Sequence, residues 1–136
     1  LIECDKSGID YVSFKVNGKP SIKTHFGFWA EYVTLSALEK VMNLTFDNLY
    51  HEHVTNYIYA HNELFILKWI NTNSVLEGRN DIRTTIDTKE DFFVVQKMYK
   101  TLKEIGKLKI EDVVDYLDKN PLYLNSMKQQ IIENSK

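Results

Sequence analysis

Asp81-Ile82-Arg83-Thr84-Thr85-Ile86-Asp87-Thr88-Lys89-Glu90-Asp91-Phe92 is the stretch whose reading decides the fold. It opens as an extended run carrying β-branched Ile82, Thr84, Thr85 and Ile86, residue types that suit a strand. At Asp87-Thr88 it turns into an amphipathic helix. The apolar set of that helix is Phe92, Val95, Met98, Tyr99, Leu102 and Ile105. Gly106 stands where a C-terminal cap glycine belongs. A carboxylate between a strand's carboxyl end and a helix's amino end sits where open α/β sheets hold their ligands. Two caps compete at this joint. With Asp87 as N-cap, Glu90 falls at N3; with Thr88 as N-cap, Asp91 does, and Asp87 is left uncommitted. As a plain cap, Asp87 would contribute about 1 kcal/mol.

Upstream of the joint, Tyr11–Val16 alternates as a strand and Asn17-Gly18 signals a hairpin turn. Residues 26–33, dense in aromatics, read as a second strand, explained by core packing or by a dimer surface. Ser36-Ala37-Leu38-Glu39 is a capping box opening a short helix. Asp47 can cap another helix, in which Tyr50, Val54, Tyr57 and Ile58 share a face. Leu64–Ile70 is a nearly continuous apolar run, expected to be a buried strand. Residues 71–80 form a polar loop, and beyond Gly106 two further helices make a small helical tail over residues 107–136. The first residues, Leu1–Asp5, look like the end of a preceding helix, and the chain reads as a piece of something longer. The order of elements indicates a single α/β domain over residues 1–136.

Composition narrows the function classes. Among 136 residues, 43% are hydrophobic and 26% charged, the balance of a globular chain. No apolar run approaches the roughly 18 residues of a membrane span, and Leu1–Asp10 lacks the layout of a signal peptide. Net charge is −2, and of 17 basic residues only Arg79 and Arg83 are arginine. No basic stripe with interleaved aromatics results, so nucleic acid is not expected as a partner. Cys4 is alone, which excludes a disulfide framework within the chain and suits a reducing, cytoplasmic setting.

Several side chains are candidates for chemistry. Arg83 could contact a substrate carboxylate or phosphate, or form a salt bridge to Asp81 or Asp91. Glu31 could face a site or solvent. His51 and His53 point about 200° apart on a helix and cannot chelate one ion together. His53, Tyr57 and His61 share a face, but zinc would lack a third ligand at suitable spacing.

Three ordered blocks carry a family resemblance. Arg83–Phe92 resembles the arginine-x-threonine-valine-aspartate-threonine-proline-glutamate-aspartate segment of the sugar cytidylyltransferases. The branch in question is that of the spore coat polysaccharide biosynthesis proteins, related to the CMP-Kdo and acylneuraminate synthetases. His51–Tyr59 resembles the family's glutamate-histidine-valine-threonine-proline-tyrosine-isoleucine stretch, and Ile110–Val113 with Asn120-Pro121 and Asn125-Ser126 resembles its tail. The resemblance implies a Rossmann-like nucleotide-diphospho-sugar transferase fold, and attack of a sugar or sugar-acid hydroxyl on the α-phosphate of CTP with release of pyrophosphate. It further implies that Asp87 helps hold Mg²⁺ and that Glu52 and His53 line the sugar side of the cleft.

Departures from the family pattern qualify those expectations. Lys89 and Asn56 stand where the family has proline, and Trp29 where relatives often carry an acidic residue. The family's glycine-containing loop for CTP and its other metal aspartate have no match, so the resemblance covers a carboxyl-terminal half. Alone, the chain is expected not to turn over CTP. A second expectation is a non-catalytic homodimerisation or assembly module. A third, a glycosyltransferase, would need an Asp-x-Asp motif that the chain lacks.

Overall fold

The computed structural model describes residues 8–134 except residue 73, and for His51 and Glu52 the backbone alone. The architecture is α/β, a small mixed sheet with several helices. Among the described residues no helix is long and apolar enough to cross a membrane. Cys4 and the expected helix end at Leu1–Asp5 lie outside the described residues. Two compact units divide the chain: Leu1–Lys15 with Ala30–Asn71, and Val16–Trp29 with Thr72–Lys136.

In the first unit, β1 (Tyr11–Val16) lies between two partners. β3 (Tyr32–Val33) pairs antiparallel with it, Tyr11 opposite Val33, and β4 (Leu67–Asn71) pairs parallel, Tyr11 opposite Leu67 through Lys15 opposite Asn71. The Asp10 carboxylate accepts from the Ile66 amide at 2.8 Å and so fixes where β4 begins. Three helices follow β3: α1 (Leu35–Leu44), α2 (Asn48–Glu52) and α3 (Val54–Ala60). Tyr11, Ala37, Val41, Ile58 and Phe65 form the core of this unit, with Tyr11 and Ile58 fully buried.

Three local expectations shift here. The cap of α1 is Thr34, whose hydroxyl accepts from the Ala37 amide at 3.1 Å, two residues before Ser36. The helix capped by Asp47 breaks at His53 (φ −117, ψ 65), so Tyr50 and Tyr57 meet edge to face from separate helices. The run Leu64–Ile70 is not a buried strand, since Ile66 is 61% exposed and Ile70 is 38% exposed. Among the described residues β4 pairs only with β1, so one long edge of it faces away from the sheet.

The second unit begins with a turn in which Asn17 and Gly18 both have positive φ (50 and 75), as the Asn-Gly pair prescribes. β2 (Lys19–Pro20) and a 3-10 turn (Ser21–Lys23) follow. A second 3-10 turn, Ser74–Leu76, leads toward the joint, and three helices close the unit: α4 (Lys89–Glu104), α5 (Ile110–Asp118) and α6 (Pro121–Glu133). Leu76, Ile82, Met98, Leu102, Leu117 and Met127 lie at the centre of its core. Phe28 and Trp29 pack against that core. α4 ends in a Schellman motif: Gly106 (φ 68) donates to Lys103 O at 3.1 Å and Lys107 donates to Leu102 O at 2.9 Å.

Neither aromatic-rich 26–31 nor β-branched 82–86 is a strand. The two segments cross closely instead of laddering. Thr84 and Thr85 both donate their amides to one carbonyl, that of His25, at 2.9 and 3.2 Å. Gly27 donates to the Thr84 hydroxyl at 3.1 Å, and a Cβ on Gly27 would lie 2.8 Å from the Thr84 carbonyl oxygen. Only a glycine lets the backbones approach this far.

Candidate functional site at the Asp87 joint

The site starts from a local choice of cap. Thr88 is the N-cap of α4: its hydroxyl accepts from the Asp91 amide at 3.1 Å, and the Asp91 carboxylate accepts from the Thr88 amide at 2.9 Å. This reciprocal box leaves Asp87 one residue outside the helix. It also draws Asp91 inward, to 4% exposure, and rotates α4 about its axis. The buried stripe therefore runs Asp91, Met98, Leu102, with Val94 against the core, while Phe92 and Tyr99 are 45% and 48% exposed.

Buried Asp91 is paired with buried Arg83. The guanidinium grips it with two parallel bonds, Nε to Oδ1 at 2.8 Å and Nη2 to Oδ2 at 3.0 Å, both side chains being 2% exposed. The same Nη2 donates to Asp87 Oδ2 at 2.7 Å, and Nη1 lies 2.9 Å from His25 Nδ1. A guanidinium can only donate, so His25 Nδ1 must accept, and the neutral ring carries its proton on Nε2. The Asp87 amide adds a bond to Asp91 Oδ2 at 3.1 Å.

Burial by itself raises the Asp91 pKa, but the Arg83 guanidinium and the Asp87 and Thr88 amides outweigh it and bring the carboxyl down to about 2. The bonds to Asp91 raise Arg83 in turn, against the effect of burial. Because the folded pKa lies below the unfolded one, the resulting stability is fully present above about pH 4 and is lost as pH falls through 2. Acid titration of urea unfolding should show a loss of about 2 kcal/mol over this window from Asp91. In Asp91→Asn that part of the slope should vanish.

Asp87 is the part of the network that meets solvent, its side chain 48% exposed. Arg83 holds its Oδ2, leaving Oδ1 for another partner. With Arg83 at +1 and Asp87 and Asp91 at −1 each, the cluster is net −1, so a cation beside Asp87 is attracted although a guanidinium is near. Among the described residues no group of three His, Cys, Asp or Glu could cage a metal. Mg²⁺ is normally held by one or two carboxylates together with phosphate oxygens and water, so one carboxylate from this chain fits a shared site.

The other expected site residues belong to the first unit. Both oxygens of Glu31 are engaged: Oε1 accepts from the buried Tyr11 hydroxyl and Oε2 from the Thr55 hydroxyl at 3.1 Å. Burial, and then the bond to Glu31, raise the Tyr11 pKa. His53 is exposed at the break between α2 and α3, and the Glu52 side chain lies outside the described residues. His25 was given by no motif. Its place beside Arg83 depends on the crossing with Thr84, which spacing along the chain does not encode.

Over 120 residues, 88% of this chain, the sequence is 35% identical to an uncharacterized protein of Methanocaldococcus jannaschii. The chain spans 46% of that protein's length. No family model matches the chain, and no solved structure matches it.

Proposed function

We propose that this chain is the carboxyl-terminal portion of a Mg²⁺-dependent sugar cytidylyltransferase with a Rossmann-like fold, a cytoplasmic enzyme of surface polysaccharide biosynthesis. The observation that carries the reading is Asp87: a half-exposed carboxylate just outside a helix N-terminus, steered by a buried arginine. Together with the Arg83–Phe92 motif, this is the feature a shared metal site needs.

In this reading the division of labour is as follows. Asp91 neutralises and orients Arg83, and Arg83 fixes Asp87 Oδ2 while the half-exposed carboxylate keeps Oδ1 for a ligand. Arg83 is then a positioning residue, with four of its five N–H donors already committed. Mg²⁺ bound at Asp87 would supply neutralisation of phosphate charge for attack of a sugar hydroxyl on CTP. The α4 N-terminus adds a partial positive charge on the same side.

The longer archaeal relative gives the direct assay. It should release pyrophosphate from CTP with Mg²⁺ and some member of a panel of sugars and sugar acids, while the present chain alone should release none. Failure of the relative with every acceptor sinks the reading. Turnover by the present chain alone, lost in Asp87→Ala, would refute the claim that it needs another half. An assembly role is the second reading, favoured by the exposed apolar Leu122 (83%) and Ile132 (71%) of α6. Sedimentation equilibrium showing a homodimer that Leu122→Lys dissociates would support it.

A further inference from the structure

We propose that the free edge of β4 is a docking edge for an apolar β-strand. The strand comes from the part that the longer archaeal relative has outside its match to this chain. This inference concerns assembly of the sheet and does not rest on the cytidylyltransferase reading.

Hydrogen bonding defines the edge. The Ile66 carbonyl accepts from the Asp10 and Tyr11 amides at 2.9 and 3.3 Å, and the Ile66 amide donates to the Asp10 carboxylate at 2.8 Å. Both polar groups of Ile66 therefore turn toward β1. Peptide groups alternate along a strand, so those of Lys68 and Ile70 also turn toward β1, and those of Leu67, Trp69 and Asn71 turn outward. Among the described residues nothing bonds these three outward N–H and C=O pairs. Such a row of open donors and acceptors is what strand addition uses.

The side chains and the relative name the occupant. Ile66, Lys68 and Ile70 are exposed and share one sheet face, so β4 is open on that face as well as at its edge. A nearly continuous apolar run suits a strand buried on both faces, and Lys68 is the only charge in Leu64–Ile70. An edge built for solvent carries more charge, a proline or a bulge. The relative has the length to supply the cover, since this chain spans 46% of it and more than half lies outside the match. A second copy paired through the same edge would satisfy the peptide groups but leave Ile66 and Ile70 open.

Amide hydrogen exchange, measured on this chain and on the intact relative, tests the edge. In this chain the Leu67, Trp69 and Asn71 amides should exchange about a hundredfold or more faster than those of Lys68 and Ile70. In the relative the amides at all five aligned positions should be protected to a similar degree. The same alternation in the relative as in this chain overturns the proposal. So does protection of all five amides in this chain at every concentration, because the edge is then covered from within. Protection of the three outward amides that appears only as the concentration of this chain rises assigns the edge to a second copy, and also overturns it.

Discussion

Arg83→Ala should lower the unfolding free energy by about 3–5 kcal/mol, since it leaves a buried carboxylate without its counter-charge. The magnitude follows from where the partners sit. Asp91 and Arg83 are each 2% exposed at the side chain and joined by two bonds, so water cannot replace the guanidinium. Against a typical domain stability of about 5–15 kcal/mol, the loss is a large share of the whole. Arg83→Met/Asp91→Leu should recover only part of it, because replacing both partners removes the unpaired charge but leaves the Asp87 and Thr88 amides without their Asp91 acceptor. Urea unfolding measures both variants. A cost below about 1 kcal/mol for Arg83→Ala would mean that the pair does not hold the joint together.

Gly27→Ala should cost about 1–3 kcal/mol, because the added methyl lies 2.8 Å from a backbone oxygen. The atom in the way belongs to Thr84, which is 8% exposed, so it cannot swing aside as a long side chain would. Separating the two segments also weakens the Thr84 and Thr85 bonds to His25 O and carries the imidazole away from Arg83. Urea unfolding gives the cost, and the His25 ring resonances should shift in the same variant. A neutral substitution with unmoved His25 signals would contradict the close crossing.

What the sequence made legible and what it hid have distinct physical causes. The helix from Lys89 to Glu104, its Thr88–Asp91 box and its Gly106 terminator are local, set by residues within a turn of one another. Position in sequence was enough to find the helix and its terminator and to narrow the cap to two pairs, of which the structure forms Thr88 with Asp91. The face that α4 buries was legible only in part: Met98 and Leu102 are buried as expected, while Phe92, Tyr99 and Ile105 are exposed, because apolar periodicity treats Asp91 as a surface residue until Arg83 is known to pair with it. The runs 26–31 and 82–86 have strand composition, yet Gly27 and the shared His25 carbonyl divert their hydrogen bonds into a crossing. Likewise β4 has the composition of a buried strand and only one partner among the described residues. At the site, Asp87 and Arg83 were marked by their motif. His25 was invisible, since its relation to Arg83 spans 58 positions and no spacing rule links them.

The central claim is that Arg83 and Asp91 hold Asp87 out as a ligand for a divalent cation. Substoichiometric Mn²⁺, added as a paramagnetic stand-in for Mg²⁺ while backbone amide resonances are followed, tests it most directly. The amides from Asp87 to Asp91 should broaden first, and Asp87→Asn should abolish the effect while leaving the rest of the spectrum in place. Broadening that begins elsewhere, or that persists unchanged at the α4 N-terminus in Asp87→Asn, would contradict the account.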